Sequence, residues 1–342
     1  MPTISLNETT QYFYTDTGVP PDNLNYKTLL IIHGHTFHSG SFRRIASIAP
    51  SKSMRIVCVN RRGYPGTSPY TEAQKKAIVS GTDDERSNVL QQLGTELALF
   101  IDALIRECSI PSNGGITVAG WSMGAMFIFA LMTSTEFVGK AVGHNLRTYL
   151  KGFILWDPPI HAVGAPDIPD RYIPLWDSSI PESQRGTIFV TWLSSYFAHK
   201  DISSRDLDDL SLREPDHSKS PTIQNMTLDE LSSMIELTSK GEHDYESIMV
   251  MSGFMPAVYR HTTKALFDRP EELPLTKLPV VHLLGACATW NIIYSAWFLQ
   301  DMVSQLNGAQ DPIKLKIMPE FNHFAMWDKP EATLNALQEC LG

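Results

Sequence analysis

The chain has 342 residues, 43% hydrophobic and 19% charged, which suits a large buried core and exceeds the size of one small domain. A formal net charge of -9 argues against nucleic acid or an anionic membrane surface as partner, since either would need excess Lys and Arg. Cys58, Cys108, Cys287 and Cys340 are scattered with no C-x-x-C or Cys/His spacing, which excludes an expected zinc site or disulfide framework.

In chain order, Gln11 to Tyr14 is the first expected strand, closed by the turn Asp16-Thr17-Gly18. Thr28 to Ile32 is an unbroken apolar run, the mark of a strand buried on both faces of a parallel sheet. The loop His33-Gly34-His35-Thr36-Phe37-His38-Ser39-Gly40 follows, where a glycine lets backbone cross the carboxyl edge at which open α/β sheets bind ligands. Its histidines lack a carboxylate or cysteine to complete a ligand set, so no metal is expected. The loop is instead expected to offer one backbone N–H, that of His35 or the adjacent Thr36, to an oxyanion, with its side chains bordering a pocket. Met54 to Asn60 is another buried strand, and it runs into the Gly- and Pro-dense turn Arg61 to Pro69. Arg61 and Arg62 are expected to hold that turn through guanidinium hydrogen bonds rather than to bind an anion. From Asp83 to Glu107, apolar residues recur every three or four positions, predicting an amphipathic helix on the sheet.

Next comes Ile116-Thr117-Val118-Ala119-Gly120-Trp121-Ser122-Met123-Gly124-Ala125: a buried strand, a G-x-S-x-G, and the helix formers Ala125 to Met132. A serine on so sharp a strand-to-helix turn needs small neighbours, which Gly120 and Gly124 are. Ser122 is then pushed out of the sheet as a candidate nucleophile. The N–H of Met123, in the first helical turn, faces a developing oxyanion.

Gly152 to Trp156 is a further strand, stopped by Asp157-Pro158-Pro159. From about His161 to Asp268 strand-like runs cease, and short helical stretches rich in Trp, Tyr and Met take over. We read this as an inserted helical lid over residues 160–269, the core being residues 1–159 and 270–342. Trp176, Trp192, Tyr196, Phe197, Met249, Met251, Phe254 and Met255 are the lid residues suited to lining an apolar pocket, and Thr36, Trp121, Trp192 and Phe254 are assigned to it. The sheet resumes at Leu278 to Gly285. Trp290 to Leu306 reads as a helix, Lys314 to Met318 as the last strand, and Lys329 to Leu341 as a closing helix after the loop Pro319 to Phe324. Such alternation predicts an α/β fold with a mostly parallel sheet. No apolar run approaches a membrane span and the first residues carry no leader-like pattern, so a cytoplasmic location is expected.

Four separated segments resemble the α/β-hydrolase superfamily: His33-Gly34, the turn Arg62 to Ser68, the elbow Gly120 to Gly124, and Asn322-His323-Phe324 with Trp327 and Lys329-Pro330-Glu331 behind it. The resemblance implies an eight-stranded core sheet, a lid after the sixth strand, and hydrolysis through Ser122 and His323. In most relatives an Asp lies three residues past the glycine ending the seventh strand, but here Gly285 is followed by Ala286, Cys287 and Ala288. The superfamily's second solution places the acid at the end of the sixth strand, where Asp157 stands; Asp301 is the other candidate. A serine nucleophile implies an acyl-enzyme and a carboxylic ester or lactone substrate, or a thioester or activated amide, with no cofactor. Epoxide-opening and halide-displacing relatives use Asp at the elbow, so those activities are not expected. Acyl transfer to an alcohol, cleavage of a carbon–carbon bond beside a carbonyl, and binding without turnover remain as alternatives on the same constellation.

Overall fold

The structure, a computed structural model, describes residues 2–21, 25–168, 171–236, 243–267, 274–305 and 313–341. Eight strands form one sheet: β1 (Thr3–Ser5), β2 (Gln11–Asp16), β3 (Lys27–Ile32), β4 (Met54–Val59), β5 (Ile116–Trp121), β6 (Leu150–Trp156), β7 (Val280–Gly285) and β8 (Ile313–Met318), in the order β1-β2-β4-β3-β5-β6-β7-β8. β1 and β2 pair antiparallel, and every pairing from β4 through β8 is parallel. The central strands β4 and β5 are buried along their whole length, as their unbroken apolar sequences require. β1 was not anticipated: it is three residues long, and its ends are exposed on either side of the buried Ile4, too short a pattern to read as a strand.

Register fixes what emerges at the carboxyl edge. Ile32 pairs with Gly120, and Trp121 with Trp156, so His33, Ser122 and Asp157 leave neighbouring strands at nearly the same height. The helix Asp83–Glu107 buries Val89, Leu90, Leu93, Leu97, Phe100, Ile101, Leu104 and Ile105, the periodic face expected of it. A Thr82–Glu85 capping box satisfies its first amides. The elbow helix Gly124–Thr133 is buried at every position, because it is apolar all round and lies between the sheet and two flanking helices.

Between β6 and β7 the chain is helical and coil, with helices including Ile160–Val163, Glu182–Leu193, Leu228–Ser232, His243–Met249 and Met255–Phe267. The last of these packs on Asp83–Glu107 and Gly124–Thr133, which makes it part of the layer covering the sheet. The expected boundary at 269/270 and the helix end at Leu306 lie outside the described residues.

Candidate active site

Ser122 sits at φ +57, and its N–H donates to the Trp156 carbonyl at 2.8 Å. That left-handed backbone costs a non-glycine residue about 1–3 kcal/mol, held in place by its surroundings. A Cβ on Gly124 would stand 2.2 Å from the Ile32 carbonyl, and one on Gly120 2.6 Å from the Gly124 carbonyl carbon, so the elbow admits only glycine at both positions. Met123 enters the first turn of the elbow helix, where its N–H has no intrahelical acceptor.

Asp157 also takes a left-handed backbone, φ +47, which turns its carboxylate toward β7. Its Oδ1 accepts the Gly285 N–H at 2.7 Å, and its Oδ2 lies 3.4 Å from His323 Nδ1. Both side chains are fully buried. The His323 carbonyl accepts from Trp121 Nε1 at 3.1 Å, while its ring stacks on the same indole with centroids 4.7 Å apart and planes 21° from parallel. Next to it, Asn322 Nδ2 donates to the Ser194 carbonyl and the Thr222 hydroxyl, each at 2.8 Å, tying the histidine loop to the insertion. No hydrogen bond joins Ser122 to His323: the buried Nε2 has no protein partner. Asp301, the other candidate acid, is paired with Arg205 at 2.7 Å on the surface.

The loop after β3 is held from below and above. Arg61 Nε donates to the His33 carbonyl at 3.0 Å and its Nη2 to the Gly34 carbonyl at 2.7 Å, while the guanidinium pairs with Glu246 of the helix His243–Met249. The Tyr64 and Tyr70 hydroxyls donate to the same carboxylate at 2.7 and 3.2 Å, and burial, reinforced by that charge, pushes both phenols well above their ordinary range. His35 hydrogen-bonds with the Ser247 hydroxyl at 3.1 Å. Arg62 pairs with Glu96 at 2.7 Å and donates to the Pro69 carbonyl, which holds the turn, whereas the Arg61 side chain holds the loop after β3 instead. Thr36 departs from expectation. Its N–H donates to the Tyr64 hydroxyl at 2.9 Å and its hydroxyl bonds the His35 ring at 2.8 Å, so neither group is offered to a ligand and His35 is left as the loop's oxyanion candidate.

The eight-stranded, mostly parallel sheet agrees with comparisons to known proteins. A model of the alpha/beta hydrolase family matches residues 29–336. The chain belongs to that family. No curated protein matches the chain. Among solved structures, a soluble variant of monoglyceride lipase from Saccharomyces cerevisiae shares 14% identity over 99% of this chain and 94% of its own, with a TM-score of 0.55. A hydrolase from Pseudomonas aeruginosa matches at 14% identity, 100% and 98% coverage and TM-score 0.54. An esterase from Exiguobacterium antarcticum matches at 12%, 97% and 96%, and 0.51. At these identities the likeness is one of fold.

Above Ser122 lies a cavity of about 50 Å³. His35, Trp121, Ser122 and Met123 form its floor, and the insertion supplies Ile173, Leu175, Trp176, Phe189, Leu193 and Val250. Trp121 and Trp176 border it, whereas Trp192 and Phe254 do not. Trp192 is turned away to donate to the Leu212 carbonyl at 2.9 Å and to pack edge-on against Phe197 and Tyr172; Phe254 is buried beneath the Arg86 guanidinium. Tyr196 likewise donates to Asp328 at 2.8 Å, and Met249 is buried beside Tyr70. Two polar residues absent from the sequence reading line the cavity, His161 and Asn291. The available signal was position alone: each follows a strand end by a few residues. Among the described residues no His/Cys/Asp/Glu cluster is arranged to hold a metal, and no helix is long and apolar enough to cross a membrane.

Proposed function

We propose that this protein hydrolyses a carboxylic ester or lactone with an apolar portion, through Ser122, His323 and Asp157. The observation that carries the reading is the buried Asp157–His323 pair beside a serine held at positive φ under an apolar cavity. Ser122 Oγ attacks the carbonyl carbon while its proton passes to His323 Nε2, and Asp157 fixes the Nδ1–H tautomer and stabilises the imidazolium. The N–H groups of Met123 and His35 receive the oxyanion. Collapse expels the alcohol, which takes the proton from His323, and water then releases the acid by the same route. The insertion read as residues 160–269 serves as the lid that keeps solvent from the apolar part of the substrate. Monoglyceride lipase and esterase activities of the fold's relatives agree with this choice of substrate class.

The missing Ser122–His323 hydrogen bond is what a protein that binds without turnover would show, although such bonds are often long before substrate arrives. Labelling by a fluorophosphonate separates the two. We expect stoichiometric labelling and hydrolysis of p-nitrophenyl esters, both abolished in Ser122→Ala. A wild-type protein that neither labels nor hydrolyses would leave the binding reading in place.

A further inference from the structure

His161 is the second residue of the short helix Ile160–Val163 that follows Asp157-Pro158-Pro159. It is 5% exposed, lines the cavity above Ser122, and stands edge-on to the Trp176 indole at 4.8 Å. Its Nε2 is buried with no hydrogen-bond partner in the protein. His35, the other histidine of the cavity, differs: both its ring nitrogens are engaged, by the Thr36 and Ser247 hydroxyls. Nearby on the lining, Asn291 uses its Oδ1 to accept the Thr289 hydroxyl at 2.6 Å, which leaves its amide Nδ2 as the group for the cavity. The rest of the wall above the elbow is aliphatic or aromatic, and such a wall neither needs nor rewards a buried imidazole.

We propose that His161, aided by the Asn291 amide, binds a neutral ketone or hydroxyl oxygen on the part of the ester lodged in this cavity. The proposal rests on the hydrolase reading and narrows its substrate class from apolar esters to oxygenated ones. A buried site built around an unpaired nitrogen discriminates strongly against a ligand that leaves it unpaired, whereas an apolar wall barely distinguishes the two. Burial, with a smaller contribution from His35, pushes the His161 imidazolium down to about 3, so the ring is neutral in ordinary buffers. The site therefore favours an uncharged oxygen over a carboxylate, which would bring an unmatched charge into the cavity.

The test compares p-nitrophenyl octanoate with analogues carrying a ketone or a hydroxyl at successive carbons of the acyl chain, and p-nitrophenol-free acetates of the matching alcohols. In the wild type we expect at least one ketone or hydroxyl position to exceed its plain parent in kcat/KM by about tenfold. In His161→Phe, which keeps the aromatic contact with Trp176, that ratio should fall to about one, and His161→Gln, whose amide reaches the place of Nε2, should restore part of it. A purely structural histidine would alter all substrates alike and leave the ratio unmoved. Wild-type labelling at Ser122 together with a ratio near one at every position overturns the proposal while the hydrolase reading stands, even if His161→Phe fails to fold. Absence of labelling overturns both.

Discussion

β6 and β7 are adjacent, parallel and end at the same edge of the sheet, yet β6 runs directly into the carboxylate of Asp157 and β7 finishes in a glycine. An imidazole needs a carboxylate at one point in space, and the pairing of Trp156 with Leu283 brings either strand end within reach of that point. In the proposed triad β6 would supply the acid, Asp157 being turned into the left-handed region, and β7 supplies the N–H of Gly285 that fixes Asp157 Oδ1. The histidine loop also packs tightly on Gly285, where a Cβ would stand 2.6 Å from the Phe321 carbonyl oxygen. The two strands thus divide one task, charge from one and placement from the other.

The sharpest way to break this division is Asp157→Asn. The amide oxygen can still accept from Gly285, so packing should survive, but an N–H would face His323 Nδ1 and impose the wrong tautomer. By analogy with the same change in a serine protease, kcat on a p-nitrophenyl ester should fall about 10⁴-fold with the melting temperature little altered. Activity within tenfold of wild type would show that charge comes from elsewhere than β6.

How much of this was legible in the sequence depended on whether a residue's partner lay along a strand or across the molecule. The runs Thr28–Ile32, Met54–Asn60 and Ile116–Ala119 announce buried strands because burial on both faces removes alternation, and strand register then brings the elbow and Asp157 together. The bend at Ser122 is written in Gly120 and Gly124 because atoms within the elbow itself, and Ile32 beside it, crowd those positions. Thr36 carried no such signal, since the group that captures its amide, the Tyr64 hydroxyl, belongs to the next loop. The helical character of the chain between β6 and β7 was legible, but composition predicts that Trp192 and Phe254 are buried without saying on which side. Trp192 Nε1 found a carbonyl inside the insertion, while smaller residues such as Ile173 and Leu193 took the cavity wall. Glu246 reads locally as one acid among helix formers, and its partners Arg61, Tyr64 and Tyr70 are revealed only when the loops meet.

β7 differs from β6 in a second respect, which a milder experiment sharpens. Its His282 is fully buried, pairs with Leu155 in register, and has no partner at Nε2, so burial pushes its imidazolium down to about 3 from an ordinary 6.5. Below pH 6.5 the unfolded chain binds a proton at this residue that the folded chain refuses. Stability should therefore fall with decreasing pH by about 1.4 kcal/mol per unit from this group, until the folded value is reached. In urea unfolding between pH 7 and pH 5, His282→Leu should lose about 2 kcal/mol less than wild type. Equal losses in the two proteins would mean that the imidazole is solvated or paired in the folded state.

Asp301→Asn should do least, and for that reason it tests the assignment of the acid from the opposite side. Asp301 lies in the helix Trp290–Ser304 that follows β7, close enough in sequence to stand in for the acid β7 lacks. Yet its carboxylate is 65% exposed and paired with a half-exposed Arg205, where solvent screening leaves such pairs worth at most about 1 kcal/mol. Its carboxylate lies against Arg205, whereas His323 Nδ1 faces Asp157. Removing the Asp301 charge should leave kcat within twofold and shift stability by less than about 0.5 kcal/mol. A large loss of kcat at unchanged stability would place the working carboxylate after β7 and reduce Asp157 to a turn-forming residue held by Gly285.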